Sequence, residues 1–363
     1  MQPRSTPKYY PFVEGIRGLA AFYVVLNHIW ARFVAVAPPD TFPRWFHLLK
    51  FGHVAVAIFI VLSGFCLMLP IAPRVGLPLP PSFLKRRARR ILPAYFAAML
   101  ISLLLGMMVP AILPPHSREW QSLLTHVLLV HNWTPRWSIA INGPFWSIAL
   151  ECQIYFIFAL VLLPIRRHAG RGGVLAVAAA LVAIPMALQL DGTSPWFLLL
   201  FIQGMFAAEW VAHPPRLSHH ALRALAALLT LACVAAELTI WRDNFPWPHT
   251  PWQAGALLIG LDLLLGSATA AVLIVGALAP PRLFALLCSS PVLWLGSFSY
   301  SLYLLHDPLL ALGLHPLASH INSAPLPLFS LVLISVLPVT LGLCWLFHLA
   351  FERPFLRSHN RVH

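Results

Sequence analysis

The sequence predicts an all-α, polytopic integral membrane protein with about ten transmembrane helices. Three observations lead to this fold class. Hydrophobic residues make up 59% of the 363-residue chain, and the mean hydropathy is +0.79. Charged residues make up only 10%. Apolar runs of ~20 residues, the length that crosses a bilayer as a helix, recur along the chain. A soluble globular protein does not have this composition.

The apolar runs define ten candidate spans that together leave no room for a separate soluble domain. The whole chain, residues 1–363, is therefore expected to be a single transmembrane domain. The first run follows a polar, proline-rich stretch with no small-residue cleavage site closely after it, so we expect it to be a retained span. In chain order the spans are 15–36, 52–72, 91–113, 145–165, 173–190, 195–212, 221–241, 255–278, 293–316 and 326–350.

The longest connection, residues 114–144, contains an apolar piece at 121–131 that is too short to cross a bilayer. Together with Trp120, Trp133 and Trp137 in the same stretch, it predicts an interfacial or re-entrant segment.

The distribution of basic residues predicts the orientation. With the N-terminus inside, most of the 24 Lys and Arg fall in inside segments, as cytoplasmic loops require. Both termini are then cytoplasmic. The same distribution accounts for the formal charge of +13 without a nucleic-acid partner, and none is expected.

Two polar residues in the first apolar run, Arg17 and His28, are costly inside a bilayer and are therefore functional candidates. Eleven residues of α-helix turn through ~1100°, so both side chains lie on one face, ~16 Å apart along the axis. Arg17 is expected near the cytoplasmic boundary. His28 is expected deep in the span.

Other ionisable residues are predicted at related depths. Glu151 lies ~9 Å below the outer surface, His306 and Asp307 ~20 Å above the inner one, and Asp262 ~10 Å below the outer one. We therefore expect His28, Glu151 and His306 to form one buried polar layer, with Asp262 as a further candidate.

Such a layer has the chemistry of a base with its orienting carboxylate. A histidine can take a proton from a hydroxyl, and a hydrogen-bonded carboxylate fixes its tautomer. The alternative is that these groups serve only helix packing through interhelical hydrogen bonds. The cysteine spacings do not resemble a zinc site, and no metal is expected.

The stretch SFLKRRARRILPAYF, residues 82–96, carries five basic residues just before the third span. A juxtamembrane cluster of this kind usually orients the helix or binds anionic membrane lipid. The functional alternative is a phosphate site, because arginine suits bidentate phosphate contacts. Arg87 and Arg90 are three residues apart and can share a helix face.

Taken in order, these motifs resemble the membrane-bound acyltransferase-3 family, which O-acylates sugars and other hydroxyl compounds. Arg17 and His28 match its Arg, ten residues, His pattern. The other matching stretches, which are short individually and specific as an ordered set, are GHVAVAIFIVLSGFCLM, KRRARRILPAY, WSIALECQIYFIF, SYSLYLLHDPLL and FERPF.

The resemblance implies an O-acyltransferase of the bacterial inner (cytoplasmic) membrane. Its donor would be acetyl-CoA or another acyl-CoA reached from the cytoplasm, and its acceptor a hydroxyl of a glycan or related compound. His28 would be catalytic with Glu151 as its partner, and Arg17, Arg87 and Arg90 would hold the CoA phosphates. Asp307 replaces an aromatic residue frequent in the family and is a second candidate partner for His28.

Two questions stay open at this point. A proton-coupled secondary transporter is the alternative function, since buried His and carboxylates also relay protons, although no internal repeat supports it. Direct transfer is the expected mechanism, but transfer through an acylated residue is also consistent with the sequence.

Overall fold

The computed structural model describes residues 9–37, 41–74, 82–188, 194–214, 216–240 and 251–356, without the side chains of residues 74, 115 and 251–254. Every regular element in these ranges is helical, and this confirms the predicted all-α fold. The cytoplasmic position predicted for both termini concerns residues 1–8 and 357–363, which lie outside the described residues.

Sixteen α-helices run through the described ranges. The first eight are α1 Pro11–Val34, α2 Gly52–Met68, α3 Phe83–Met108, α4 Trp120–Val127, α5 Pro135–Ser138, α6 Phe145–Ile157, α7 Leu163–His168 and α8 Gly170–Ala187. The remaining eight are α9 Phe197–Ala212, α10 His219–Ile240, α11 Pro251–Leu278, α12 Phe284–Leu287, α13 Ser290–Ser297, α14 Ser299–Leu314, α15 Pro325–Ile334 and α16 Val336–Phe347. Helical turns of π type join α6 to α7 at Phe158–Leu162 and follow α16 at His348–Glu352.

Eight helical segments in the described ranges are long and apolar enough to cross a membrane, against ten predicted spans. The two differences have clear causes. The predicted span 195–212 is α9, which has only 16 residues. The predicted span 293–316 is divided at Phe298 into α13 and α14, so that neither part reaches the length of a full span.

Helix α3 begins eight residues before the predicted start of its span, at Phe83 rather than residue 91. Arginine and lysine are good helix formers, so the basic cluster makes up the first two turns of the helix. We call the end of the bundle where α3 begins the basic end.

Glycines set the close helix contacts that hold α1 in place. A Cβ added to Gly18 would lie 2.5 Å from the backbone nitrogen of Gly296 in α13. In the same way, a Cβ on Gly64 of α2 would lie 2.0 Å from a backbone oxygen of α9. Small residues let helix backbones approach this closely in membrane proteins. The contact at Gly18 holds α1 against α13, and the contact at Gly64 holds α2 against α9; α1 also packs against α2 and α14.

The connection between α3 and α6 consists of short helical pieces and does not cross the bundle, as predicted for residues 114–144. It folds back onto the bundle, where the hydroxyl of Tyr95 in α3 donates to the backbone oxygen of His126 at 3.0 Å. The last residues of this connection, Asn142 and Gly143, pack against the middle of α14.

Candidate functional site

The site begins with a proline in the middle of α14. Pro308 has no N–H, so the carbonyl of Leu304, four residues earlier, loses its helical partner. The side-chain amide of Asn142 takes its place and donates to the Leu304 oxygen at 2.8 Å. The same amide donates to Ser102 Oγ at 3.1 Å. The proline thus brings the end of the 109–144 connection to the centre of the bundle.

His28 of α1 and Asp307 of α14 meet at this point. His28 Nδ1 lies 3.0 Å from Asp307 Oδ1, and the backbone N–H of Gly143 donates to Asp307 Oδ2 at 3.3 Å. An ionised carboxylate only accepts hydrogen bonds, so Nδ1 carries the proton. The lone pair of the neutral ring is then on Nε2, the arrangement that a general base requires.

Arg32, one helical turn after His28, completes the group. Its Nη2 lies 2.5 Å from Asp307 Oδ1 and 3.1 Å from the Asp307 backbone oxygen, and its Nη1 lies 3.2 Å from the His28 backbone oxygen. Arginine therefore neutralises the Asp307 carboxylate and ties α1 to α14 at the level of His28. A half-buried carboxylate is tolerated because it has such partners.

His306 lies beside this group and is completely buried. Its Nδ1 lies 2.9 Å from the Leu302 backbone oxygen and so carries the proton, while Nε2 has no hydrogen-bond partner among the described residues. The His306 ring meets the His28 ring edge to face, with 4.8 Å between centroids. The predicted proximity of His28, His306 and Asp307 is present in the structure.

Glu151 is not in contact with His28, contrary to the expected partnership. Its carboxylate accepts hydrogen bonds from the hydroxyls of Ser63 and Tyr155. The reason lies in α6: Gly143, just before the helix, is the residue level with Asp307, and Glu151 comes two turns later. Asp307 therefore occupies the position beside the histidine that the sequence analysis left open between the two carboxylates.

Asp262 is also outside the polar layer. It accepts a hydrogen bond from Trp196 Nε1 at 2.8 Å. A separate contact joins His53 and Glu237, whose Nε2 and Oε1 are 3.1 Å apart. This second polar cluster joins α2, α10 and α11. Similar depth did not bring it to His28, because these residues lie on other helices and faces.

Two adjoining pockets lead inward from the basic end. The outer pocket has six arginines and two carboxylates among its lining residues: Arg17, Arg86, Arg87, Arg89, Arg90, Arg353, Glu14 and Glu352. The inner pocket shares Arg17, Arg87 and Arg90 with it and continues along α2 and α6 past Ser63 and Glu151. The three arginines proposed from sequence therefore stand together where the two pockets join.

Local contacts hold these arginines. Arg17 Nη1 lies 2.8 Å from Glu14 Oε1, and Arg17 Nη2 lies 3.7 Å from Cys66 Sγ. The Arg87 guanidinium lies over the Phe83 ring, 5.9 Å from its centroid. Arg17 and Arg87 thus keep donors toward the pocket, and the surplus of arginine over carboxylate favours an anionic ligand.

The lining of the inner pocket also includes Phe59, Ser147 and Tyr303. The hydroxyls of Ser147 and Tyr303 are hydrogen bonded at 2.7 Å. The Tyr303 ring lies 6.0 Å from that of His306. The pocket therefore runs from the arginines to within one side chain of the His28 group, the name that we give to His28, Arg32, His306 and Asp307.

Several residues of the site are not among the candidates that the sequence analysis names. Arg32 is not among the candidates from sequence, although its spacing of four from His28 indicates a shared helix face. Asn142 and Gly143 could have been found through Pro308, since a proline in a helix leaves a carbonyl that needs a donor. Ser63, Tyr155 and Tyr303 lie in stretches that resemble the family motifs, but a single polar residue in an apolar run does not reveal its partner.

Comparison with known proteins places this arrangement in a family. The acyltransferase-3 family model, described as an acyltransferase domain, matches residues 10–349. Acyltransferase MdmB of Streptomyces mycarofaciens is 24% identical, over 97% of this chain and 92% of its own length. Exopolysaccharide production protein ExoZ of Rhizobium meliloti is 27% identical over 86% of this chain and 92% of its own.

A third relative is longer. The putative peptidoglycan O-acetyltransferase YrhL of Bacillus subtilis is 25% identical over 84% of this chain, which spans only 49% of that protein. No solved structure matches the chain. The family match covers nearly the whole described bundle, including the inner pocket, most of the outer pocket's lining and the His28 group. The chain is therefore a member of the acyltransferase-3 family of membrane acyltransferases.

Proposed function

We propose that this protein transfers an acyl group, acetyl by default, from acyl-CoA to the hydroxyl of a glycan or related acceptor. The observation that carries the proposal is a path from the six arginines that form the mouth of the outer pocket, through the inner pocket, to Ser147 and Tyr303 beside the His28 group. A ligand that is polyanionic at one end and has a long, slender arm suits such a path. Acyl-CoA has this form, with its phosphates far from its thioester.

In this proposal the arginines bind the nucleotide phosphates. Arg17, Arg87 and Arg90 stand at the junction of the two pockets, where charge-assisted hydrogen bonds to phosphate are strong. The pantetheine arm then passes Ser63, Glu151 and Tyr155. The ~16 Å that separates Arg17 from His28 along α1 is a distance that the extended arm can span.

Chemistry at the deep end follows from the hydrogen bonds of His28. Its Nε2 removes the proton of the acceptor hydroxyl, and the oxygen attacks the thioester carbonyl. The new C–O bond forms as the C–S bond breaks, and the CoA thiolate leaves and takes up the proton. Asp307 stabilises the transient imidazolium, while Arg32 and the Gly143 N–H hold Asp307 in place.

The proposed location is the bacterial inner membrane, with the basic end in the cytoplasm where acyl-CoA is available. This orientation is supported by the excess of Lys and Arg in the segments predicted to be inside. The acyl group would then cross the membrane within the bundle while CoA stays on the cytoplasmic side.

A direct test uses the purified protein in lipid nanodiscs and acetyl-CoA. Water can replace the unknown acceptor, so the assay measures binding of radiolabelled acetyl-CoA and slow release of free CoA thiol. We expect saturable binding, competition by free CoA and thiol release above the rate without protein. Absence of both binding and thiol release would contradict the proposal, and it is the result expected of a transporter of another solute.

A further inference from the structure

A second approach to the His28 group lies beside Asp307 and shares no lining residue with the two pockets that contain the arginines. A chamber there has Asn142, Gly143 and Asp307 as its polar lining residues. We name it the Asp307 chamber. Its other lining residues are apolar: Ile112, Leu113, Pro114, Ile139, Ile141, Pro308 and Ala311.

The chamber reaches the reacting group directly. Gly143 is part of its lining, and a Cβ added there would lie 3.0 Å from Asp307 Oδ2 and 3.9 Å from His28 Cε1. A molecule in the chamber can therefore present a hydroxyl to the His28 imidazole without passing through the outer and inner pockets, which together we call the donor pocket. The absence of a side chain at Gly143 keeps this approach open.

The chamber and the donor pocket differ in charge. None of the ten chamber lining residues is basic, and Asp307 is its one charged member, already paired with Arg32. Besides Asp307, the one residue of the lining with a polar side chain is Asn142. The Asn142 side chain is almost completely buried, and its Oδ1 has no partner among the described residues, while its Nδ2 is used twice.

Such a lining does not suit an acceptor that is polar on all sides. Hydroxyls buried against hydrocarbon without partners cost free energy, and the chamber could satisfy only a few of those on a glycan chain. A hydroxyl with hydrocarbon on both sides would place its apolar surface against the seven apolar residues. Its O–H would then point toward His28.

The rim of the chamber indicates where such a molecule comes from. Ile139 is 58% exposed, and Met107 and Met108, at the end of α3 just before the chamber residues, are 67% and 78% exposed. Helix α3 is one of the eight segments suited to cross a membrane, so this exposed apolar surface faces lipid. The chamber therefore opens beside the bilayer at the end opposite the basic end.

We infer that the Asp307 chamber is the acceptor site and that it takes an amphiphilic alcohol from the membrane, one whose reacting hydroxyl is flanked by apolar surface. This inference rests on the proposed function and narrows its acceptor class. A glycan qualifies only where it is joined to an apolar body that enters the chamber.

The test compares acceptors on the wild-type protein in nanodiscs with acetyl-CoA. Cyclododecanol, with hydrocarbon on both sides of its hydroxyl, is the amphiphilic probe, and maltoheptaose is the water-soluble one. Ester formation is measured by mass spectrometry. Release of CoA thiol is measured relative to its rate with water as the acceptor. We expect at least tenfold faster acetylation of cyclododecanol. Acetylation of maltoheptaose at an equal or higher rate would overturn the inference and leave the proposed function intact.

A matched pair of variants assigns the effect to the chamber. Ala311→Leu narrows the chamber, whereas Ala318→Leu makes the same change at an exposed position beyond α14. We expect Ala311→Leu to lower cyclododecanol acetylation at least tenfold with acetyl-CoA binding retained, and Ala318→Leu to change neither. Equal rates in the two variants would overturn the inference. If the wild-type protein does not bind acetyl-CoA, the result contradicts the proposed function instead.

Discussion

Two carboxylates near the middle of the bundle, Asp307 and Glu151, have very different surroundings. Asp307 is bound by a histidine, an arginine and a backbone N–H. Glu151 is bound by two hydroxyls and lies in the pocket that begins at the arginines. Similar carboxylates at similar predicted depth are thus assigned to different tasks by their partners. In the proposed function, Asp307 orients the base and Glu151 belongs to the donor path.

The largest effect of a change at either carboxylate is expected at Asp307. Asp307→Asn keeps the volume but weakens the stabilisation of the His28 imidazolium and lets the amide favour the wrong tautomer. We expect the kcat for thiol release from acetyl-CoA to fall on the order of 10²–10⁴-fold, with acetyl-CoA binding retained. A fall in kcat of less than threefold would contradict the claim that Asp307 supports His28 as the base.

A smaller effect, on binding rather than chemistry, is expected at the mouth of the donor pocket. Arg87→Ala with Arg90→Ala removes two charged donors, each worth roughly 1.5–3 kcal/mol in contact with an anion. We expect the Kd for acetyl-CoA to rise at least tenfold and its dependence on salt to weaken.

The control for this pair is Arg136→Ala, which removes an exposed arginine whose partner is Glu119. It should leave the Kd unchanged. If the double variant changed the Kd no more than Arg136→Ala does, the six arginines of the outer pocket would not be the phosphate site.

Glu151→Gln is expected to change transfer less than Asp307→Asn. Glutamine still offers an oxygen to Ser63 and Tyr155, and it removes a negative charge from a pocket that binds an anion. The KM for acetyl-CoA should change by less than about tenfold, and the pH profile of kcat should keep its wild-type midpoint because His28 keeps its partner. The midpoint is measured by thiol release from pH 5 to 9. A shifted midpoint in the variant would show that Glu151 interacts with His28.

The smallest effect concerns stability away from both carboxylates. The rings of His126 and His131 stack at 3.9 Å in the 109–144 connection. Burial lowers the pKa of His126 to about 4 and that of His131 to about 3. In the unfolded chain both would bind a proton below pH ~6.5. Their stabilising contribution is therefore complete above that pH and is lost as pH falls toward 4.

This linkage can be measured by thermal unfolding in nanodiscs at pH 7.5 and 5.0. We expect a lower Tm at pH 5.0, and a smaller difference between the two pH values in His131→Phe, which keeps an aromatic ring but removes one titrating group. An unchanged pH dependence in the variant would show that these imidazoles do not limit stability in acid.

The sequence predicted the helical membrane fold because hydropathy and length alone define such a fold. It also predicted that His28 and His306 lie at similar depth, with Asp307 as one of two candidate partners of His28, because the first and ninth predicted spans enter the membrane from the same side. Glu151 and Asp262 were placed wrongly, since depth does not specify the face of a helix or its neighbours. The spacing of Arg32 from His28 and the proline at position 308 each indicate that a contact is needed, but the partners of Arg32 and Asn142 depend on how α1 and the 109–144 connection pack against α14, which only the folded chain defines.

The central claim is that His28 is the base that links the donor pocket to the acceptor, and His28→Ala tests it most directly. Acetyl-CoA binding and thiol release are measured on the same nanodisc preparation of the variant and the wild type. The account predicts binding within about threefold of wild type, with thiol release lowered on the order of 10²–10⁴-fold. Thiol release at the wild-type rate with binding intact would contradict it.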